Sequence, residues 1–438
     1  MKSVHVYLVV ICVLTLFIVF TEKSMALDLQ SEIDTAEDGD VIVIPAGEYA
    51  GPITIQKSLT LQGDGNVTLV SESDVTLFIE SDEVKVDGIT VLHNNPQLDS
   101  KALLLRGSRN QISNVTVHTR GMGIVLENAN ENVLQNIRIE GAFQDSDFTG
   151  SMLTRGNGID LFQSNDNLIE NVEIRYAQDG IYVEQGTGNT IQDSYVAHSR
   201  YGFHFMFTQQ SSVFRNLSEE NIAGAMVMGT VGTHLEDNIF RKQRFHVHSQ
   251  GLMLYDVHDA RVLNNVMEEN LIGLFLESAI DNEIEHNEVS ANYIGLEVLR
   301  SEGNVLSNNN FVNNQIPARA KDSHDNFVYR NYWDSHYGLD VTGERVSVIP
   351  YEADVLFPSL IANKPAFQLF ADSPGLFFMQ FVLDMDRSEA LTDEAPLMEA
   401  SSQSTDLVPI ERNSKDVMLC SFALIASLFT MYVGGRKK

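Results

Sequence analysis

Cysteine is nearly absent from this sequence. Of 438 residues only Cys12 and Cys420 are cysteine, and both lie in apolar end segments. The body between them can hold no disulfide framework and no thiolate metal site. Positive charge is scarce as well: 29 Lys and Arg stand against 60 Asp and Glu, a net charge of −31. Such a chain repels phosphate backbones, which argues against a nucleic-acid-binding role. There is no P-loop, no GxGxxG, and no Ser-His-Asp or Cys-His signature. What remains is ordinary globular material. Hydrophobic residues make up 43%, with 29 Gly and 10 Pro, so disorder and collagen-like architectures are excluded for the bulk of the chain.

The two ends read as membrane signals. Lys2 and His5 precede an uncharged apolar run from Val6 to Phe20, and small residues follow at Ser24 and Ala26. This pattern predicts a secretory signal over residues 1–26, cut after Ala26. At the other end, residues 417–433 are 17 uncharged residues, followed by Gly434-Gly435-Arg436-Lys437-Lys438. That length is at the lower limit for a spanning helix. The basic end 434–438 predicts a cytoplasmic C-terminus. The body would then lie in the periplasm, tethered to the inner membrane through residues 417–433. Between Asp384 and Asp416 stand nine acidic and three basic residues among Ser, Thr and Pro, which reads mostly as a flexible tether.

The body repeats. Glycines fall at 158, 180, 202 and 224, and again at 251, 273 and 295, in steps of 22. The step from 224 to 251 is 27, a five-residue insertion, and the step from 123 to 158 is 35, a 13-residue insertion within Gly141 to Thr154. Asn167, Asn189, Asn282, Asn304 and Asn326 keep the same beat. A fixed period of this kind specifies a solenoid. Inside each repeat the pattern alternates, as in Gly295-Leu296-Glu297-Val298-Leu299, so the units are short strands broken by Gly and Asn. Asn and Gly suit left-handed corners. The expected fold is all-β: a right-handed parallel β-helix of about 12 coils spaced about 4.8 Å apart. Asp28 to Ile44 and the segment after Trp333 are the candidates to cap its ends. The expected domains are 27–350 for the helix, 351–400 for an apolar docking or capping tail, and 401–416 for the acidic linker.

Equal phases stack in columns. One and three residues after each phased glycine the columns are apolar, from Ile159 and Leu161 to Leu296 and Val298, and they point inward. Two and four residues after, side chains point outward. The first outward column reads Asp160, Tyr182, His204, Met226, Met253, Phe275 and Glu297; the second reads Phe162, Glu184, Met206, Met228, Tyr255, Glu277 and Leu299. His204, Met206, Met226, Met228 and Met253 thus gather on three consecutive coils. Imidazole and thioether without thiolate or carboxylate select copper, Cu(I) especially. The five-residue insertion adds His246 and His248, with His258 one strand later, as further metal-ligand candidates. The plainer reading is an adaptable hydrophobic patch under a loop or partner. His93, His118, His198 and His234 are scattered and read as surface residues.

A catalytic reading competes. Asp256-Val257-His258-Asp259 has a faint similarity to the Asp-Pro-His-Asp motif of alginate epimerases, and Asp160 and Asp179 are further carboxylates near a phased glycine. A glycosidase needs two facing carboxylates. A polyuronate epimerase or lyase needs a cationic groove, and these two outward columns contain no Lys or Arg at all.

Four pieces carry a family resemblance: Tyr201-Gly202-Phe203-His204-Phe205-Met206, Asn331-Tyr332-Trp333-Asp334, Pro350-Tyr351, and Ala371-Asp372-Ser373-Pro374-Gly375 through Ala395-Pro396-Leu397-Met398. With these the chain, over roughly residues 27 to 400, resembles the NosD family of β-helical accessory proteins for nitrous oxide reductase maturation. The resemblance implies a non-enzymatic periplasmic protein. Its implied partners are an ABC-type transporter, made of an ATPase and a permease, and a copper lipoprotein chaperone. Together they would supply copper to the reductase. The alternatives are a polysaccharide-modifying epimerase or lyase and a structural adaptor without metal.

Overall fold

The computed structural model describes residues 28–141, 155–353 and 390–401. All of them belong to one compact unit, Met1–Gln403. The expected signal 1–26, the 13-residue insertion and the span 417–433 lie outside the described residues. Among the described residues no helix is long and apolar enough to cross a membrane.

The fold is a parallel β-solenoid of about 13 turns with 22-residue spacing, against the expected 12 or so. Each typical turn gives two strands to one sheet and one to another, so the described residues form a 21-stranded and a 12-stranded sheet. The 12-stranded sheet carries the outward columns. Its strands are β1 (Ile53–Ile55), β2 (Val75–Ile79), β3 (Lys101–Leu105), β4 (Met122–Glu127), β5 (Ile159–Phe162) and β6 (Asp179–Glu184). They continue with β7 (Tyr201–Met206), β8 (Ala223–Met228), β9 (Gln250–Tyr255), β10 (Ile272–Glu277), β11 (Ile294–Leu299) and β12 (Ile316–Lys321). Successive strands pair in parallel, each on the next turn.

The phased glycines do not mark left-handed corners. A Cβ at Gly180 would collide with the Gly202 carbonyl and Val196, and one at Gly202 with the Gly224 carbonyl and Ser218. Glycine is required because the next coil lies directly against it. The left-handed corners are instead held by other residues, including Asp193, His198, Arg215 and Glu220. The phased asparagines differ from expectation too. Asn167 Nδ2 donates to Asn189 Oδ1 at 3.0 Å, and Asn282 Nδ2 to Asn304 Oδ1 at 2.8 Å. Each such amide also accepts a backbone N–H, as Asn189 Oδ1 does from Asn167 at 3.1 Å. They are buried amide ladders that satisfy the backbone at the turns. A second ladder runs from Asn216 through Asn238, Asn265, Asn287 and Asn309 to Asn331.

Both ends are closed. At the N-terminus Asp28 caps helix α1 (Leu29–Thr35), whose Leu29 and Ile33 are buried in the main core. At the C-terminus the sequence pieces of the tail converge. Trp333 stacks between Phe311 and Tyr351, with centroids 4.1 Å away on each side. Asp393 Oδ2 accepts from Asn331 N at 2.9 Å, Asn331 Nδ2 at 3.1 Å and Trp333 Nε1 at 3.1 Å. Asp393 thereby ends the second ladder. Leu397 N donates to Asn331 O, and Ser347 N to Pro396 O. Part of the stretch read as a tether is therefore ordered cap, with its chain extended across the last coil.

His93 is a core residue and not a surface one, only 3% exposed. Ser100 Oγ gives its proton to Gln97 O at 2.6 Å, so His93 Nε2 donates to Ser100 Oγ and Nδ1 accepts from Thr76 Oγ1, both at 2.8 Å. The neutral ring satisfies every partner. Burial, opposed by the charge of Asp74, pushes His93 down to about 4 from 6.5. The unfolded chain takes up the proton near 6.5, while the folded chain resists until about 4. Stability from this site is complete above the unfolded value and is lost as pH falls toward the folded one, by about 3 kcal/mol. His93→Gln, which keeps a donor and an acceptor, is expected to flatten the fall in urea-unfolding free energy across that window. An unchanged slope would show that other groups set it.

Candidate functional site

Strand pairing sets the outward face in register. His204 pairs with Tyr182 on one side and Met226 on the other, and Met226 pairs with Met253. Met206 pairs with Met228, and Met228 with Tyr255. The five residues of the patch are thus brought together on β7, β8 and β9. A third outward position stands just before each glycine: Asn157, Asp179, Tyr201, Ala223, Gln250 and Ile272. Counting only the residues after the glycine misses it, although it repeats with the same period.

Facing outward does not leave this face open. His204, Met226 and Met253 are 5%, 8% and 9% exposed, whereas Met206 and Met228 are half-buried. Rings close over the imidazole: Tyr182 at 4.8 Å and Tyr201 at 5.0 Å between centroids. The Arg200 guanidinium lies 4.4 Å over the Tyr201 ring. Arg200 Nε and Nη2 donate to Asp179 at 2.8 and 2.6 Å. His204 Nδ1 lies 2.7 Å from Asp179 Oδ2. Burial opposes the Asp179 charge, but hydrogen bonds and charges from His204 and Arg200 outweigh it and hold the carboxyl below its ordinary range. A carboxylate there accepts the Nδ1 proton, so in the neutral ring the lone pair stands on Nε2. That Nε2 is buried and has no partner. Tyr182 Oη donates to Glu184 Oε2 at 2.8 Å and lies 3.3 Å from Met206 Sδ. Asp160, beside Tyr182 in the ladder, is pushed up to about 6, chiefly by burial and then by nearby Glu184, Asp179 and Glu127 against a hydrogen bond from Asn157.

The other histidines do not join this group. His246 and His248 are exposed, with rings 5.3 Å apart, just before β9. His258 lies beyond the far end of β9, bridging Val231 and Ile280, with Nε2 3.6 Å from Asp256. The six residues of β9 separate them by about 20 Å. In the Asp256–Asp259 motif Val257 is buried, while both aspartates are left-handed corner residues. His118, His198 and His234 sit near Glu140, Glu220 and Glu236. Among the described residues no three His, Cys, Asp or Glu side chains group to hold a metal; thioethers fall outside that set of donors. The outward columns also continue one turn further than the glycine beat, to Arg319 and Lys321. Arg319 pairs with Glu297 at 2.6 Å.

Taken together, the turns and their buried ladders define a repeat protein of the parallel β-solenoid class. Residues 139–342 match the model of NosD, described as periplasmic copper-binding protein. The match and the solenoid together fit the NosD-like β-helix repeat family. No curated protein matches the chain. A variant catalytic domain of GH87 alpha-1,3-glucanase in complex with nigerose aligns over 72% of this chain and 68% of that chain. Its identity is 16% and its TM-score 0.51. A family 28 exopolygalacturonase of Yersinia enterocolitica aligns over 68% of this chain and 74% of that one, at 9% identity and TM-score 0.51. At such identities these likenesses concern the fold alone.

Proposed function

We propose that this chain is a non-enzymatic copper-handling accessory protein. It takes Cu(I) as cargo on the outer face of β7, β8 and β9. One observation carries this reading. His204 is buried, its Nδ1 is fixed by Asp179, and its Nε2 is left without a partner in a strand ladder with Met226 and Met253. A carboxylate behind an imidazole is the arrangement that orients a metal-binding histidine. Adjacent thioethers select a soft ion over Zn(II) or Ca(II). The apolar tyrosine walls and the buried methionines keep water from the ion.

The family description supports a periplasmic, copper-related setting. In that setting the chain delivers copper for nitrous oxide reductase maturation, working with an ABC transporter permease and ATPase and a copper lipoprotein chaperone. Residues 417–433 tether it to the inner membrane. The test is a Cu(I) titration of the full chain against a colorimetric chelator. The parent should compete for Cu(I) and for Ag(I), and not for Ca(II). His204→Phe, which keeps an aromatic ring, should weaken Cu(I) binding at least about tenfold. Equal binding by parent and variant would remove His204 from the site.

A further inference from the structure

A second orphaned group lies on the same face. Gln250 is 5% exposed, and its Oε1 is buried with no hydrogen-bond partner. It stands at the position just before the glycine, in register with Ala223 on one side and Ile272 on the other. Neither neighbour's side chain can donate a hydrogen bond. Leaving an amide oxygen unpaired in a buried place costs about 1–3 kcal/mol, which a bound ligand would offset. Met253 lies three residues further along β9, the last thioether of the His204–Met226–Met253 ladder. On β7 the same two positions are held by Tyr201 and His204, whose ring centroids are 5.0 Å apart. Gln250 and Met253 hold the equivalent positions on β9. Ala223, between Tyr201 and Gln250 in this column, carries only a methyl group.

We infer that Gln250 and Met253 form a second, weaker position for the same soft ion. This rests on the copper reading of the face and deepens it. The first position uses the His204 imidazole with Met226. The second uses the Met253 thioether with the Gln250 amide oxygen, a poorer donor than imidazole for a soft ion. The two are one strand spacing apart along the ladder, about 5 Å, so Met226 and Met253 can hand an ion from the tighter position to the looser one. No bond to carbon changes and no electron moves; the ion only exchanges ligands. Gln250 is thereby the residue that sets the capacity of the face.

The experiment counts ions. The full-length protein is titrated with Cu(I) under anaerobic conditions against a chelator. The parent should bind two equivalents of unequal affinity. Gln250→Leu, similar in size and apolar, should lose the weaker equivalent and keep the tighter one unchanged. Gln250→Met should restore the second equivalent and tighten it, since it supplies a thioether in place of the amide. Circular dichroism confirms that both variants are folded. If the parent binds one equivalent and Gln250→Leu binds it equally well, the copper reading stands and the second position is refuted. Two equivalents in parent and Gln250→Leu alike also refute it. If the parent binds no Cu(I), the copper reading falls and this inference falls with it.

Discussion

Replacing Met206, Met226, Met228 and Met253 together by leucine is expected to leave the solenoid folded and to lower Cu(I) affinity by more than about 100-fold. Leucine and methionine are close in volume and both apolar, and such swaps usually cost less than about 1.5 kcal/mol each. Met226 and Met253 are buried against neighbouring strands, so leucine retains most of their contact. Met206 loses its approach to Tyr182 Oη at 3.3 Å, but Tyr182 keeps Glu184. The core columns on the inner side are untouched, so the β-rich circular dichroism should not change. Every thioether of the face is gone, however, and a lone imidazole binds Cu(I) weakly. Removing supporting residues alone costs about 10–100-fold in metal affinity, and loss of the donors themselves costs more. A folded variant that competes for Cu(I) like the parent would make the methionines a packing or docking surface. His246 and His248 would then be the next ligands to replace.

Much of the fold was legible because glycine and asparagine report on backbone contact. The 22-residue step gave the class and the register, and pairing confirms the outward columns from Asp160 to Glu297. The physical role of these residues was not legible. A glycine needed for coil contact and one needed for a left-handed corner look alike in sequence. An asparagine in a ladder and one at a corner look alike too. The beat also stopped one turn early, because Pro317 stands where the next glycine would be; Leu296 pairs with Ala318. Arg319 and Lys321 therefore fall outside the glycine beat.

The site was half legible for a similar reason. Alternation tells which face a side chain takes, not what its neighbours do over it. Alternation puts His204 on the outer face, while its burial there comes from Tyr182, Tyr201 and Arg200. The insertion places His246, His248 and His258 on neighbouring turns, but five and three residues before Gly251 and seven after it are opposite ends of the strand. In the sequence Asp179 is only a carboxylate beside a glycine. Its role comes from the side-chain reach between one coil and the next, which no linear pattern records.

Asp179 is accordingly where the second large effect is expected. Its side chain is 1% exposed and takes three hydrogen bonds, two from Arg200 and one from His204. Asp179→Ala leaves a guanidinium and an Nδ1–H without their anion in a place with little water. Breaking one partner of a buried ion pair typically costs about 3–5 kcal/mol. The urea midpoint should fall accordingly, with an unchanged dependence on denaturant. The same change frees the imidazole to carry its proton on either nitrogen and to rotate, so Cu(I) affinity should fall about 10–100-fold. The two effects separate in Asp179→Asn. Its amide oxygen still accepts the Nδ1 proton, while its NH2 group meets the donors of Arg200. Stability should therefore drop, and affinity should stay nearer the parent than in the alanine variant. Nitrogen-15 shifts of His204 provide the readout that simple loss of packing would not move. The parent and Asp179→Asn should show the neutral ring protonated on Nδ1, and Asp179→Ala a mixture of both forms. Should the alanine variant keep the parent's tautomer and its Cu(I) affinity while losing only stability, Asp179 is a structural anchor for Arg200, and the orientation of His204 comes from the two tyrosine rings instead.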